Sequence, residues 1–180
     1  MPTYIALLRG INVGGRALVS MSDLRDLFEG LGFAAKTLLQ SGNVVFRTGR
    51  AVGTTNLERL LEAETASRFG VPVTCFVRTP AEWAQVIARN PFPAEAKRDP
   101  GHLVVTFLKT EPQSKDAKAL QAASEGPELI RPAGRELYIT YPAGIGRSKL
   151  TNALIERVLG MRATGRNWNT VVKLAAAMAQ

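Results

Sequence analysis

One order of elements is written twice along this chain, and that repetition restricts the possible folds more than any other feature. Tyr4 to Leu8 is a compact apolar run with the character of a buried strand. Ser20 and Asp23 have the spacing of a helix cap, and Leu24, Leu27, Phe28 and Leu31 follow at helical intervals, so a helix is expected over Met21–Leu31, ended by Gly32. Thr37–Gln40 and Val44–Thr48 flank the turn-forming Ser41-Gly42-Asn43 and predict a hairpin. Thr55 and Glu58 repeat the capping spacing before Leu57, Leu60 and Leu61, giving a second helix that runs to Phe69 and stops at Gly70. Val73–Arg78 is the fourth strand. Thr79, Pro80 and Glu82 then open a third helix with Trp83, Val86 and Ile87 turned inward. The first six of these elements form the split βαβ order of a ferredoxin-like fold.

Asn90–Gly101 carries three prolines among polar residues and reads as a linker, dividing the chain into halves 1–98 and 99–180. Beyond it the order recurs. Leu103–Leu108 is a strand and Ser114–Ala123 a helix; Glu128–Arg131 and Glu136–Tyr141 form a hairpin around Pro132-Ala133-Gly134-Arg135. A helix starting at Ser148 buries Leu150, Leu154, Ile155 and Val158. Met161–Ala163 is a short strand, and a helix starting near Thr164 carries Trp168, Val171, Val172 and Ala175 on one face. Thr79, Trp83 and Val86 have the same mutual spacing as Thr164, Trp168 and Val171. The expected fold is therefore α+β: two tandem ferredoxin-like halves, each with an additional C-terminal helix.

Comparing the copies points to a ligand class. Asp23, Glu58, Glu82 and Asp116 sit in the first turns of the first four helices, where an acid complements the helix dipole. In the last two helices the first-turn positions hold Lys149 and Arg166 instead. Cations there suggest helix ends built to receive an external anion, bound by free backbone N–H groups. Gly144 and Gly146 would let the backbone approach it closely. The candidate site in this half is Gly144, Gly146, Arg147, Ser148, Lys149, Thr164, Arg166, Asn167 and Asn169, because split βαβ topology brings the two loops to one end of the sheet. The same topology gathers Arg9, Asn12, Gly14, Gly15, Gln40, Ser41 and Asn43 in the first half, where ordinary turn chemistry is an equal explanation.

Charge agrees with an anionic partner. The net charge is +8, and from Thr140 onward six basic residues face the single acid Glu156. A solvated basic face would have the same composition. Other chemistries lack their parts. Cys75 is the only cysteine and lies in an apolar strand pattern, so it forms no intramolecular disulfide; His102, the only histidine, has no second histidine for a zinc site. Neither glycine stretch matches the phosphate-loop or dinucleotide pattern. No metal and no cofactor is expected. The opening MPTYIALLRG lacks the basic flank and length of a signal peptide, and no run approaches the roughly 18 apolar residues of a membrane span, which points to the cytoplasm and to no membrane partner.

Three stretches, LRGINVGG (Leu8–Gly15), LLQSGNVVF (Leu38–Phe46) and the run from Ser148 to Leu174 with SKLTNALIER and RNWNTVVKL, together resemble the bacterial family called domain of unknown function 1697. The resemblance implies an α+β fold of two ferredoxin-like halves and no established activity. Its most distinctive residues fall on Arg9, Asn12, Gly14, Gly15, Gln40, Ser41, Gly42, Asn43, Arg166, Asn167, Trp168 and Asn169. The expected function is binding of a phosphate-bearing ligand, nucleic acid or nucleotide, at helix N-termini of the basic C-terminal half. The alternative is an enzyme acting on a small phosphorylated or carboxylated metabolite in a cleft between halves. A purely protein-binding scaffold is the third reading.

Overall fold

Alternation along the first strand decides how the first unit is built. In the computed structural model, which describes residues 1–12 and 19–180, β1 (Thr3–Arg9) turns Tyr4, Ala6 and Leu8 into one hydrophobic core. That core is completed by α1 (Met21–Gly30), β2 (Ala34–Leu38), β3 (Asn43–Arg47), α2 (Thr54–Phe69) and β4 (Thr74–Arg78). The sheet order is β2-β3-β1-β4, with every neighbouring pair antiparallel. Phe46 is the hub: its ring lies 5.4 Å from Tyr4, 5.1 Å from Phe28 and 5.5 Å from Phe33.

The three expected caps divide by environment. Ser20 accepts from Asp23 N, as its spacing requires. Ahead of α3 (Pro80–Ala88), Thr79 and Glu82 form the full reciprocal box, with Glu82 N to Thr79 Oγ1 at 3.2 Å and Thr79 N to Glu82 Oε2 at 2.8 Å. At α2 the box is not made. Gly53 is the N-cap without a side-chain bond, and Glu58 turns inward, where its Oε1 accepts from Val77 N at 2.8 Å. One turn on, Glu62 accepts from Cys75 N at 2.9 Å. β4 is an edge strand, and two carboxylates at i and i+4 of α2 thus cover its outward N–H groups.

The second unit repeats this plan. The proline-rich linker holds α4 (Pro93–Arg98) and a 3-10 turn at Pro100–His102. β5 (Leu103–Leu108), α5 (Ser114–Ala123), β6 (Leu129–Ala133), β7 (Glu136–Thr140), α6 (Asn152–Leu159) and β8 (Ala163–Asn167) follow, and the sheet order is β6-β7-β5-β8, again antiparallel throughout. Its core joins Val104, Leu120, Ile139, Leu150 and Ile155. Edges are covered by the same device: Glu156 accepts from Ala163 N at 2.9 Å on β8, and the Gln121 amide spans Glu128 O and Ile130 N beside β6. The last helix is α7 (Trp168–Met178). The compact units are Met1–Ala84 with Leu174–Gln180, and Gln85–Lys173. The 98/99 boundary read from the prolines coincides with the end of α4, whereas the units change over inside α3 and again inside α7.

Two boundaries differ from expectation where it matters for the site. α6 starts at Asn152, not Ser148, because Gly144, at φ 86°, leads into a 3-10 turn at Ile145–Arg147 and Ser148 folds back onto Leu150 N at 3.0 Å. Thr164 to Asn167 do not begin a helix. Pairing with Val104–Phe107 of β5 draws them into β8, so α7 begins only at Trp168.

Candidate functional site

The loop after β7 is held in place by main-chain contacts at the end of the second sheet. Tyr141 N donates to His102 O at 2.8 Å, Gly144 N to Tyr141 O at 2.9 Å, and the Tyr141 hydroxyl to Leu150 O at 3.1 Å. Opposite this loop lies the connection from α5 to β6, Ser124–Glu128. Ser148 Oγ donates to Glu128 Oε1 at 2.5 Å, Ser124 Oγ to Glu128 Oε2 at 3.2 Å, and Lys149 Nζ to Glu125 Oε2 at 2.7 Å. Gly126 makes room for this arrangement, since a Cβ there would stand 2.2 Å from Glu128 Oε2. Glu125, Gly126, Glu128, Ala143, Arg147, Ser148 and Lys149 line a concavity of roughly 210 Å³ with Pro127.

Protonation follows from these contacts. Burial pushes the Glu128 carboxyl up, but hydrogen bonds from Ser148, its own backbone N–H and Ser124 outweigh that and hold it below the ordinary range. The Lys149 hydrogen bond and charge lower Glu125, and Glu125 raises Lys149 in return. Burial, assisted by the Glu128 charge, lifts the Tyr141 phenol to about 12.

Each helix start in this unit already has one first-turn N–H taken by a side chain of the chain itself. Thr151 Oγ1 accepts from Leu154 N at 3.2 Å for α6, and Asn167 Oδ1 accepts from Thr170 N at 3.0 Å for α7. The two starts also lie at opposite ends of β8. Asn152 Nδ2 donates to Ala163 O at 3.1 Å, fixing α6 beside the first residue of β8, whereas α7 follows its last residue. Four strand steps between Ala163 and Asn167 correspond to roughly 13 Å. The expectation of two neighbouring, anion-ready helix ends carrying Lys149 and Arg166 in their first turns is therefore corrected: both cations precede their helices, and the chain's own side chains cap both termini.

The loops themselves do share a sheet end. Thr140 pairs with Leu103 on one side of β5 and Asn167 with Val104 on the other. Gly146, Arg147, Lys149 and Asn169 are exposed and Thr164 is buried. Half-buried Arg166 donates to Thr164 Oγ1 at 2.8 Å and Gly165 O at 2.9 Å, and desolvation lowers its pKa to about 10.

In the first unit, Arg9 closes β1 and Asn43 opens β3 at one sheet end, as topology required. The amides there serve the main chain. Asn12, at φ 56°, clamps Val19 with both side-chain atoms, at 2.8 Å and 2.7 Å, and the fully buried Asn43 amide donates to Leu38 O and Ser41 Oγ. Gln40 and Ser41 are exposed. Gly14 and Gly15 lie outside the described residues.

Glu125 and Glu128 were missed by sequence reasoning, although a signal existed. Ser-Glu-Gly-Pro-Glu puts two acids around a turn that the topology brings to the same sheet end as Gly144–Lys149. Elsewhere, Cys75 is buried in β4 and forms no disulfide, and His102 Nδ1 lies 2.8 Å from Asp99 Oδ2. Among the described residues no group of three His, Cys, Asp or Glu could hold a metal ion, and no helix is long and apolar enough to cross a membrane.

Comparison with known proteins places the chain in a family. The model for DUF1697, protein of unknown function, matches residues 1–138, ending before the stretch from Ser148 to Leu174; the chain belongs to this family. A solved structure of the conserved bacterial protein SP0830 from Streptococcus pneumoniae is similar with a TM-score of 0.74 and 22% sequence identity, covering 98% of each chain. That likeness concerns the fold. No curated protein matches.

Proposed function

We propose that this member of the DUF1697 family binds a phosphate-bearing ligand, nucleic acid or nucleotide, through the exposed cations of its second unit, with Arg147 and Lys149 in the loop after β7 as contact residues. The observation that carries the reading is charge segregation. Gln85–Lys173 holds fourteen Lys and Arg against eight Asp and Glu, a net +6, whereas the first unit is at only +2. Arg147, Lys149, Arg157, Arg162 and Lys173 are all exposed. The groups that carry this segregated charge are exposed side chains, so binding should be predominantly electrostatic. Strand order in each unit also supports reading both as ferredoxin-like, and a cytoplasmic setting goes with ligands of this class.

Titrating a fluorescently labelled oligonucleotide at several salt concentrations tests this. The binding constant should fall linearly on a log–log plot, and removing Arg147 and Lys149 together should reduce the slope by roughly 2. Competition by unlabelled nucleotide separates a mononucleotide site from a polyanion track. Binding that ignores salt, or no binding at low salt, would overturn the proposal.

A further inference from the structure

Lys149, assigned to the ligand, and its neighbour Ser148 are already engaged by the protein itself. Ser148 and Lys149 are consecutive, and each gives its side-chain hydrogen to a carboxylate from the single connection Ser124–Glu128. Both acids line the same concavity as Arg147. A carboxylate and a phosphate offer the same thing to an ammonium or a hydroxyl: anionic oxygens that accept hydrogen bonds.

Building on the proposed function, we infer that Glu125 and Glu128 are internal competitors, occupying Lys149 and Ser148 until ligand phosphate displaces them. The two carboxylates differ in depth, and depth sets their parts. The Glu125 side chain is 69% exposed and Lys149 80%, so this pair is weak, salt-sensitive and readily exchanged. Glu128 is only 5% exposed, is held by two serine hydroxyls, and fits because Gly126 lacks a side chain. Glu125 is therefore the outer latch, which yields first to a polyanion, and Glu128 the inner one, which fixes the loop from Gly144 to Lys149 in its resting form.

The device predicts that removing an acid strengthens binding through one particular lysine. Glu125→Gln should tighten oligonucleotide binding by roughly two- to fivefold, the range of an exposed ion pair. Glu111→Gln makes the same charge change beyond the opposite end of β5 and serves as the control. It should leave affinity close to that of the unaltered protein. In a Lys149→Ala background, Glu125→Gln should give no further gain, because the competitor acts through that ammonium group. Glu125 is exposed, so its substitution leaves the fold intact, and melting curves verify this. Equal gains from Glu111→Gln and Glu125→Gln, or a gain that persists without Lys149, would overturn the competitor role while leaving the binding function standing. Absence of binding by every variant at low salt would overturn both.

Discussion

Glu58 offers the sharpest test of how the first unit is held together. Its position after Thr55 marks it as a capping-box residue, a surface role whose loss costs about 1 kcal/mol or less. In the fold it has a different task. Oε1 accepts from Val77 N at 2.8 Å and stands 3.9 Å from the guanidinium of Arg78, with the two side chains only 8% and 1% exposed. Glu58→Ala would remove a charged acceptor from a buried N–H, worth about 1.5 to 3 kcal/mol, and an acid beside a buried cation, a change that typically costs about 3 to 5 kcal/mol. Arg78 keeps its bond to Val77 O, which softens the second effect. An overall loss of about 3 kcal/mol follows. Urea denaturation with an m value near 2 kcal/mol/M would register it as a midpoint shift of about 1.5 M. Glu58→Gln retains an acceptor for Val77 but not the charge, and should lie between the two. A loss below about 1 kcal/mol for Glu58→Ala would refute the edge-covering role and restore the surface one.

Three further outcomes are expected. Gly42→Ala should destabilise the protein by about 2 to 4 kcal/mol in the same denaturation assay, since Gly42 has φ 73° and a Cβ would lie 2.8 Å from Ile11 Cγ2 and 3.0 Å from Leu8 O. Thr151→Ala removes the cap of α6 and should cost about 1 kcal/mol, with Thr151→Ser recovering most of it. The depressed Glu128 carboxyl stabilises the fold above its ordinary value of 4.5, and this contribution is lost as pH falls through the folded value. Ser148→Ala should therefore flatten the fall in melting temperature between about pH 6 and pH 3, and an unchanged acid limb would show that the bond contributes nothing.

Element order was legible because it rests on apolar periodicity, which burial enforces along the whole chain. The strands β1, β3, β4 and β5 and the helices α1, α2 and α5 fall within a residue or two of expectation. What the sequence concealed was the fate of individual polar side chains, and there the same local pattern led to different outcomes. Thr79 with Glu82 and Thr55 with Glu58 have identical spacing, yet only the first is a cap; the second lies above an open strand edge, and an unsatisfied edge N–H is a stronger claim on a carboxylate than a helix end in water. The expected helix starts of the second unit were misplaced in the same way. A cation in a first turn is informative only if the turn is correctly placed, and α6 begins four residues after Ser148, which converts Lys149 from an anomaly at a dipole into an ordinary loop residue. Conversely, the acids that answer Lys149 and Ser148 lie more than twenty positions earlier in sequence order for one and exactly that distance for the other, beyond any local window, but adjacent once the β6–β7 hairpin forms. Unpaired charge is thus a property of the folded sheet end, and a test for ligand-seeking cations has to count the acids of every loop that the topology delivers there.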